Sequence, residues 1–172
     1  MRNQNTNKID GLHLMMSANQ KGGASKSTTI AEIAAGLKAL NIPTIIVNLE
    51  VTKTDSATAN QRLKTMLRGS RIFDLESKNV SHVLTTFGNI LDAAEKAGAV
   101  ILLDAPGAMM TSGNSIWDNL IASKYFSQLD SFTVVGTVSN EPDLFKTAVH
   151  VTNAITHPKK HVLYRGWNNP AI

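Results

Sequence analysis

The sequence predicts an α/β fold, a mainly parallel sheet with helices on both faces. Three observations carry that expectation. Runs of five to seven apolar residues recur along the chain, as in strands covered on both sides. Between them lie stretches whose apolar positions repeat every three or four residues, as in amphipathic helices, and alternation of the two implies right-handed crossovers between parallel strands. The chain is 172 residues long and has no internal repeat and no Pro/Gly-rich linker, so one sizeable core is expected.

The elements follow in order. Residues 1–11 are polar and are expected to form a flexible tail, leaving residues 12–172 as a single domain. Residues 12–18 (LHLMMSA) read as a first strand, and Ile30, Ile33, Ala34, Leu37 and Leu40 mark a helix that ends near Asn41. Pro43 opens TIIVN, a β-branched second strand, and residues 57–67 are expected to be helical. Residues 71–75 carry too weak a strand signal to assign. Val80, Leu84, Phe87, Leu91 and Ala94 share a helical face that Asn79 caps and Gly98 closes. AVILLD is a buried strand, DAPGAMMTSGN (104–114) is rich in turn formers, 115–125 is helical, and FTVVGTV is the next strand. Ser139 or Asn140 caps a helix carrying Leu144, Ala148, Val151 and Ile155, and HVLYRGW is the last strand.

Composition excludes several classes of function. Without cysteine there are no disulfides, thiolate zinc sites, iron–sulfur ligands or thiol nucleophile. No stretch approaches the apolar length of a membrane span and the polar start lacks a secretion signal, so a cytoplasmic location is expected. The net charge of +4 is modest, but Lys146, Lys159, Lys160 and Arg165 lie in a C-terminal stretch otherwise poor in acids, a surface able to attract nucleic acid. His150 and His157 have no carboxylate cluster at metal-ligand spacing, and no metal beyond Mg²⁺ is expected.

The strongest motif is NQKGGASKST, residues 19–28, between the first strand and the first helix. A loop at the C-terminal end of a parallel strand, opening into a helix, is where such sheets bind ligands. Gly22 and Gly23 free the backbone to turn its N–H groups inward, and with Ala24 and Ser25 they form a cradle for phosphate oxygens at the positive helix end. Lys26 can place an ammonium on the β and γ phosphates, Ser27 a hydroxyl on Mg²⁺, and Thr28 a hydroxyl on the α phosphate. The ordinary GxxxxGK[ST] pattern is absent, since Gln20 and Ser25 occupy its glycine positions. KGGxxK[ST] is present instead, a string expected by chance about once in a few thousand such chains. It is the deviant Walker A signature, and on it the chain resembles the ParA/MinD family of P-loop ATPases.

That resemblance makes residues 12–172 a P-loop ATPase domain that uses ATP and Mg²⁺. It further implies an ATP-dependent homodimer in which Lys21 reaches the partner's phosphates. A second signature, VILLDAPG at 100–107, resembles Walker B: Asp104 would hold Mg²⁺ through water and Gly107 would offer an N–H near the γ phosphate. The family's third signature, V-D-x-D after the second strand, is altered to VNLE. Asn48 replaces the first aspartate, and Glu50 takes the place of the water-positioning second with one methylene more. Slow, partner-stimulated hydrolysis is therefore expected, the alternative being a nucleotide-gated binding module with little or no catalysis. Relatives usually continue past the strand that HVLYRGW resembles, which makes a chain ending at Ile172 C-terminally truncated or minimal. Asn168 is placed to meet an adenine edge. The likeness is nearest to partition and conjugation members (ParA, StbB and TraL-like), which implies plasmid maintenance or conjugative transfer, non-specific DNA binding and a plasmid- or conjugation-encoded partner protein. No membrane span is expected.

Overall fold

The computed structural model describes residues 6–19, 26–50, 70–76, 79–105, 115–139 and 142–167, with Leu63, Thr65 and Leu67. Its elements are β1 (His13–Ala18), α1 (Lys26–Ala39), β2 (Thr44–Glu50), β3 (Ile72–Glu76), α2 (Val80–Ala97), β4 (Val100–Asp104), α3 (Ser115–Ile121), α4 (Lys124–Ser127), β5 (Ser131–Ser139), α5 (Pro142–Ala154) and β6 (Lys160–Trp167). The six strands form one sheet in the order β3-β2-β4-β1-β5-β6, and every neighbouring pair is parallel. The α/β fold with helices on both faces is thus the one the alternating pattern predicts.

Each face has its own core. On one, Ile30, Ala31 and Ala34 of α1 pack with Leu63 and Leu67 over Ile46, Val100 and Leu102. On the other, Phe87, Ile90, Leu91 and Ala94 of α2, Trp117 and Leu120 of α3, Phe126 of α4 and Val151 of α5 cover Leu14, Met16, Val47, Ile101, Leu103 and Val134. Successive strand residues alternate between these faces, so β1 and β4 are covered on both sides and carry unbroken apolar runs over 14–16 and 100–103.

The helix ends show how local chemistry sets the boundaries. Asn79 caps α2, its side-chain oxygen accepting from the N–H of Ser81 at 2.9 Å, and Gly98 closes the helix in the left-handed region at φ 61°. Asn41 takes the same conformation after α1, at φ 57°, and Leu40 points into solvent at the end of the expected apolar stripe. A Cβ on Gly98 would lie 2.7 Å from that of Lys8 as well as in a strained backbone region. Gly98→Ala is therefore expected to lose about 1–2 kcal/mol or more of stability, read from urea denaturation midpoints. A midpoint equal to the parent's would refute this close approach.

Two sequence expectations are corrected. Residues 72–76 do form a strand: Arg71, Asp74 and Glu76 interrupt its apolar run, but as an edge strand it needs only the ladder with β2 and buried Leu75. The helix expected over 115–125 is broken, because the Ser123 side chain caps a new turn by accepting from the Phe126 N–H. Residues 6–11 make two backbone contacts with the turns that follow α1 and α2. The Asn7 N–H donates to the Asn41 carbonyl at 2.9 Å and that of Ile9 to the Gly98 carbonyl at 3.0 Å. Residues 57–62, 64 and 66 of the expected 57–67 helix lie outside the described residues, while the Leu67 N–H donates to the Leu63 carbonyl over one helical turn.

Candidate phosphate and metal site

Because all strands run the same way, β1, β2 and β4 end on one edge of the sheet, and α1 starts there at Lys26. The chain leaves β1 toward β2 on one side and leaves β4 toward β5 on the other, so the connections diverge and open a crevice above these central strands. Parallel register then places four polar residues in one row across four strands: Asp74 of β3, Asn48 of β2, Asp104 of β4 and Ser17 of β1. They share the face on which α1 packs. Lys26, Ser27 and Thr28 form the first turn of α1, where helix N–H groups lack intrahelical acceptors.

Two separate motifs meet in this crevice. The Ser27 hydroxyl donates to Asp104 Oδ2 at 2.6 Å, although 77 positions separate them in the chain. Asp104 is 4% exposed, and burial pushes its carboxyl above the ordinary range against the opposing pull of the Ser27 hydrogen bond and the Lys26 charge. Burial likewise holds Lys26 below its usual range, opposed by the Asp104 charge. Ser17, fully buried beside Asp104, has a hydroxyl with no hydrogen-bond partner among the described residues, as does buried Thr137 near the end of β5.

These shifts carry a pH signature. A carboxyl whose folded pKa exceeds its unfolded value costs stability while ionised, and the cost vanishes as pH falls through the folded pKa toward about 3.9. Asp104→Asn is therefore expected to melt above the parent near neutral pH, with the gap closing in acid. Paired melting curves across that range test it; a gap that grows on acidification contradicts the assignment.

A hydroxyl and a buried carboxylate are hard oxygen donors, and Mg²⁺ characteristically takes one or two carboxylates and completes its shell with water and substrate phosphate. Ser27 and Asp104 suit that mode. Among the described residues no group of three or more His, Asp or Glu offers an all-protein cage. His150 and His157 are separate in role: His157 lies beyond α5, its ring nitrogen 3.1 Å from the Phe126 carbonyl oxygen.

Several expected site residues, namely Lys21, Gly22, Gly23, Ala24, Ser25, Gly107 and Asn168, lie outside the described residues. Glu50 is the last residue of β2, in register with Glu76. Asn48 is buried and its amide nitrogen donates to Asp74 Oδ1 at 3.3 Å, a partnership hidden from the sequence because Asp74 sits in a segment without a clear strand signal. Sequence reasoning also passed over Asn19. Fully buried, it donates from Nδ2 to the Thr137 carbonyl at 2.9 Å, tying the start of the loop to β5. Its place as the first letter of NQKGGASKST was the available signal.

The fold and the crevice define the chain's class: it has the fold of the P-loop NTPases. No protein-family model matches the sequence, and no curated protein does. Solved structures are similar: a chain of the MinC:MinD cell division protein complex of Aquifex aeolicus (TM-score 0.58, 15% identity, 88% of this chain and 68% of that one). The signal recognition particle receptor FtsY of Elizabethkingia anophelis in complex with GDP gives 0.60 at 14% identity, over 94% of this chain and 50% of that one. A de novo designed protein of P-loop NTPase fold gives 0.53 at 11%, over 92% and 85%. At these identities the likeness is one of fold. The chain spans about two thirds of the MinC:MinD neighbour and half of FtsY. No helix among the described residues is long and apolar enough to cross a membrane.

Proposed function

We propose that this chain is an ATP-binding switch ATPase of the ParA/MinD kind, with Lys26, Ser27 and Asp104 at its nucleotide site. The observation that carries the reading is the 2.6 Å contact between Ser27 and Asp104 beside the helix that Lys26 opens, because it joins the KGGxxK[ST] and VILLDAPG motifs in one crevice. Lys26 supplies positive charge at the phosphates, and the exclusion of water strengthens its attraction to them although burial alone disfavours the charged ammonium. Mg²⁺ bound with the nucleotide would neutralise charge between the β and γ phosphates, held from this chain by Ser27 and Asp104. Gly22, Gly23, Ala24, Ser25, Thr28 and Gly107 complete the phosphate contacts in this reading, and Asn168 meets the base.

Hydrolysis rests on Glu50 and on Lys21 of a second copy in an ATP-dependent homodimer. A cation delivered from outside the active site is worth roughly 10³- to 10⁵-fold in rate, whereas a group displaced by about 1 Å loses roughly 10²-fold. Slow turnover, stimulated by a partner protein or DNA, follows from Glu50 in place of the shorter acid. We assign the chain to plasmid partition, stability or conjugative transfer in the cytoplasm, with residues 12–172 as its ATPase domain.

ATP hydrolysis and ATP-dependent dimerisation, each measured with and without DNA for the parent, Lys21→Ala and Glu50→Ala, test this. Lys21→Ala should bind nucleotide yet lose dimer-dependent turnover, and Glu50→Ala should lose turnover while still dimerising. Dimerisation with no turnover in the parent under any condition would support a nucleotide-gated binding module instead. Absence of nucleotide binding would remove both.

A further inference from the structure

We propose that Asp74 is a positioning residue for the nucleotide site, holding the Asn48 side chain so that its carbonyl oxygen is presented beside Asp104 where a carboxylate would otherwise stand. This inference rests on the nucleotide-binding reading above. Asp74, Asn48 and Asp104 are register partners on three adjacent strands, and residues paired in this way project from the same face of the sheet about 4.8 Å apart. The Asn48 amide nitrogen donates to Asp74 Oδ1 at 3.3 Å. A carboxylate offers only acceptors, so it fixes which end of the amide faces it. The carbonyl oxygen is left on the other branch of the group, away from Asp74.

The burial pattern explains why an amide stands in the middle of the row. Asn48 is 5% exposed and Asp104 4%, whereas Asp74 is exposed at the edge strand. A third carboxylate at position 48 would place like charges in consecutive register, two of them cut off from water, and would raise the cost of ionising Asp104 further. An oriented amide offers an oxygen to a cation without that repulsion, provided something prevents the amide from turning its nitrogen inward. Asp74 does so from the exposed edge strand. Asn48 and Asp74 together then replace one buried acid by a neutral dipole and an outer anchor.

The test measures affinity for a fluorescent ADP analogue as a function of Mg²⁺, and in EDTA, for the parent, Asp74→Ala, Asp74→Asn and Asn48→Leu. Asp74→Ala is expected to raise the Mg²⁺ concentration needed for half-maximal enhancement about 10-fold, the usual scale for losing an outer partner of a metal site. Affinity in EDTA and the melting temperature should not change. Asp74→Asn keeps an acceptor for the Asn48 nitrogen and should recover most of the loss. In the Asn48→Leu background Asp74→Ala should add nothing, because both act through one amide. Parent-like Mg²⁺ dependence in Asp74→Ala overturns the proposal, as does an equal loss in Asp74→Asn, which would make charge rather than orientation the cause. A parent chain that binds no nucleotide removes the functional reading as well; one that binds while the Asp74 variants behave as the parent removes this inference alone.

Discussion

Replacing Lys26 with alanine is expected to weaken nucleotide binding roughly 10- to 150-fold, the worth of one hydrogen bond to a charged group. Lys26 is the first residue of α1, so it stands at the positive end of the helix, the end that favours an anion. Burial already depresses its pKa in the nucleotide-free protein. For a lysine this sign means that the protonated form costs stability at every pH below the folded pKa. Alanine removes that cost, so the nucleotide-free variant should melt no lower than the parent. Calorimetric titration with ADP and Mg²⁺, paired with a melting curve, separates the two effects. Parent-like affinity would remove Lys26 from the site; a large drop in melting temperature would make it a structural residue.

The largest effect on stability is expected from Phe87→Ala. Phe87 is fully buried in α2, within the core that this helix forms with the central strands. Truncating a buried phenylalanine costs about 3–5 kcal/mol, from lost transfer energy and from the cavity left behind. Against a total of about 5–15 kcal/mol that is a large share, and it corresponds to a drop of roughly 6–20 °C in Tm for a chain of this size. Urea unfolding with an unchanged slope and a shifted midpoint would show it. A loss below about 1 kcal/mol would mean that α2 does not pack as described. Because Phe87 lies on the face opposite α1, the folded fraction should still bind nucleotide as the parent does.

Legibility in the sequence followed periodicity and local chemistry. β1 and β4 were readable because strands covered on both faces carry unbroken apolar runs, and α2 because Asn79 and Gly98 mark its ends in the covalent chain itself. β3 was not, since an edge strand of five residues owes its existence to the ladder with β2 rather than to its own composition. The break between α3 and α4 turned on one capping hydroxyl, Ser123, inside an otherwise helical pattern. Of the candidate site, the identities of Lys26, Ser27 and Asp104 came from motifs, but their contact did not.

The sequence by itself determined the alternation of strands and helices, the KGGxxK[ST] string and the aspartate that ends β4. These depend on residues close together in the chain. Only the tertiary structure decided that β4 lies beside β1, and hence that Ser27 and Asp104 come within 2.6 Å. Strand order and register likewise decided that Asn48, the altered residue of VNLE, is held by Asp74. The physical reason is that hydrogen-bonded register couples positions on different strands across many residues of chain, and no local pattern records which strand will be the neighbour.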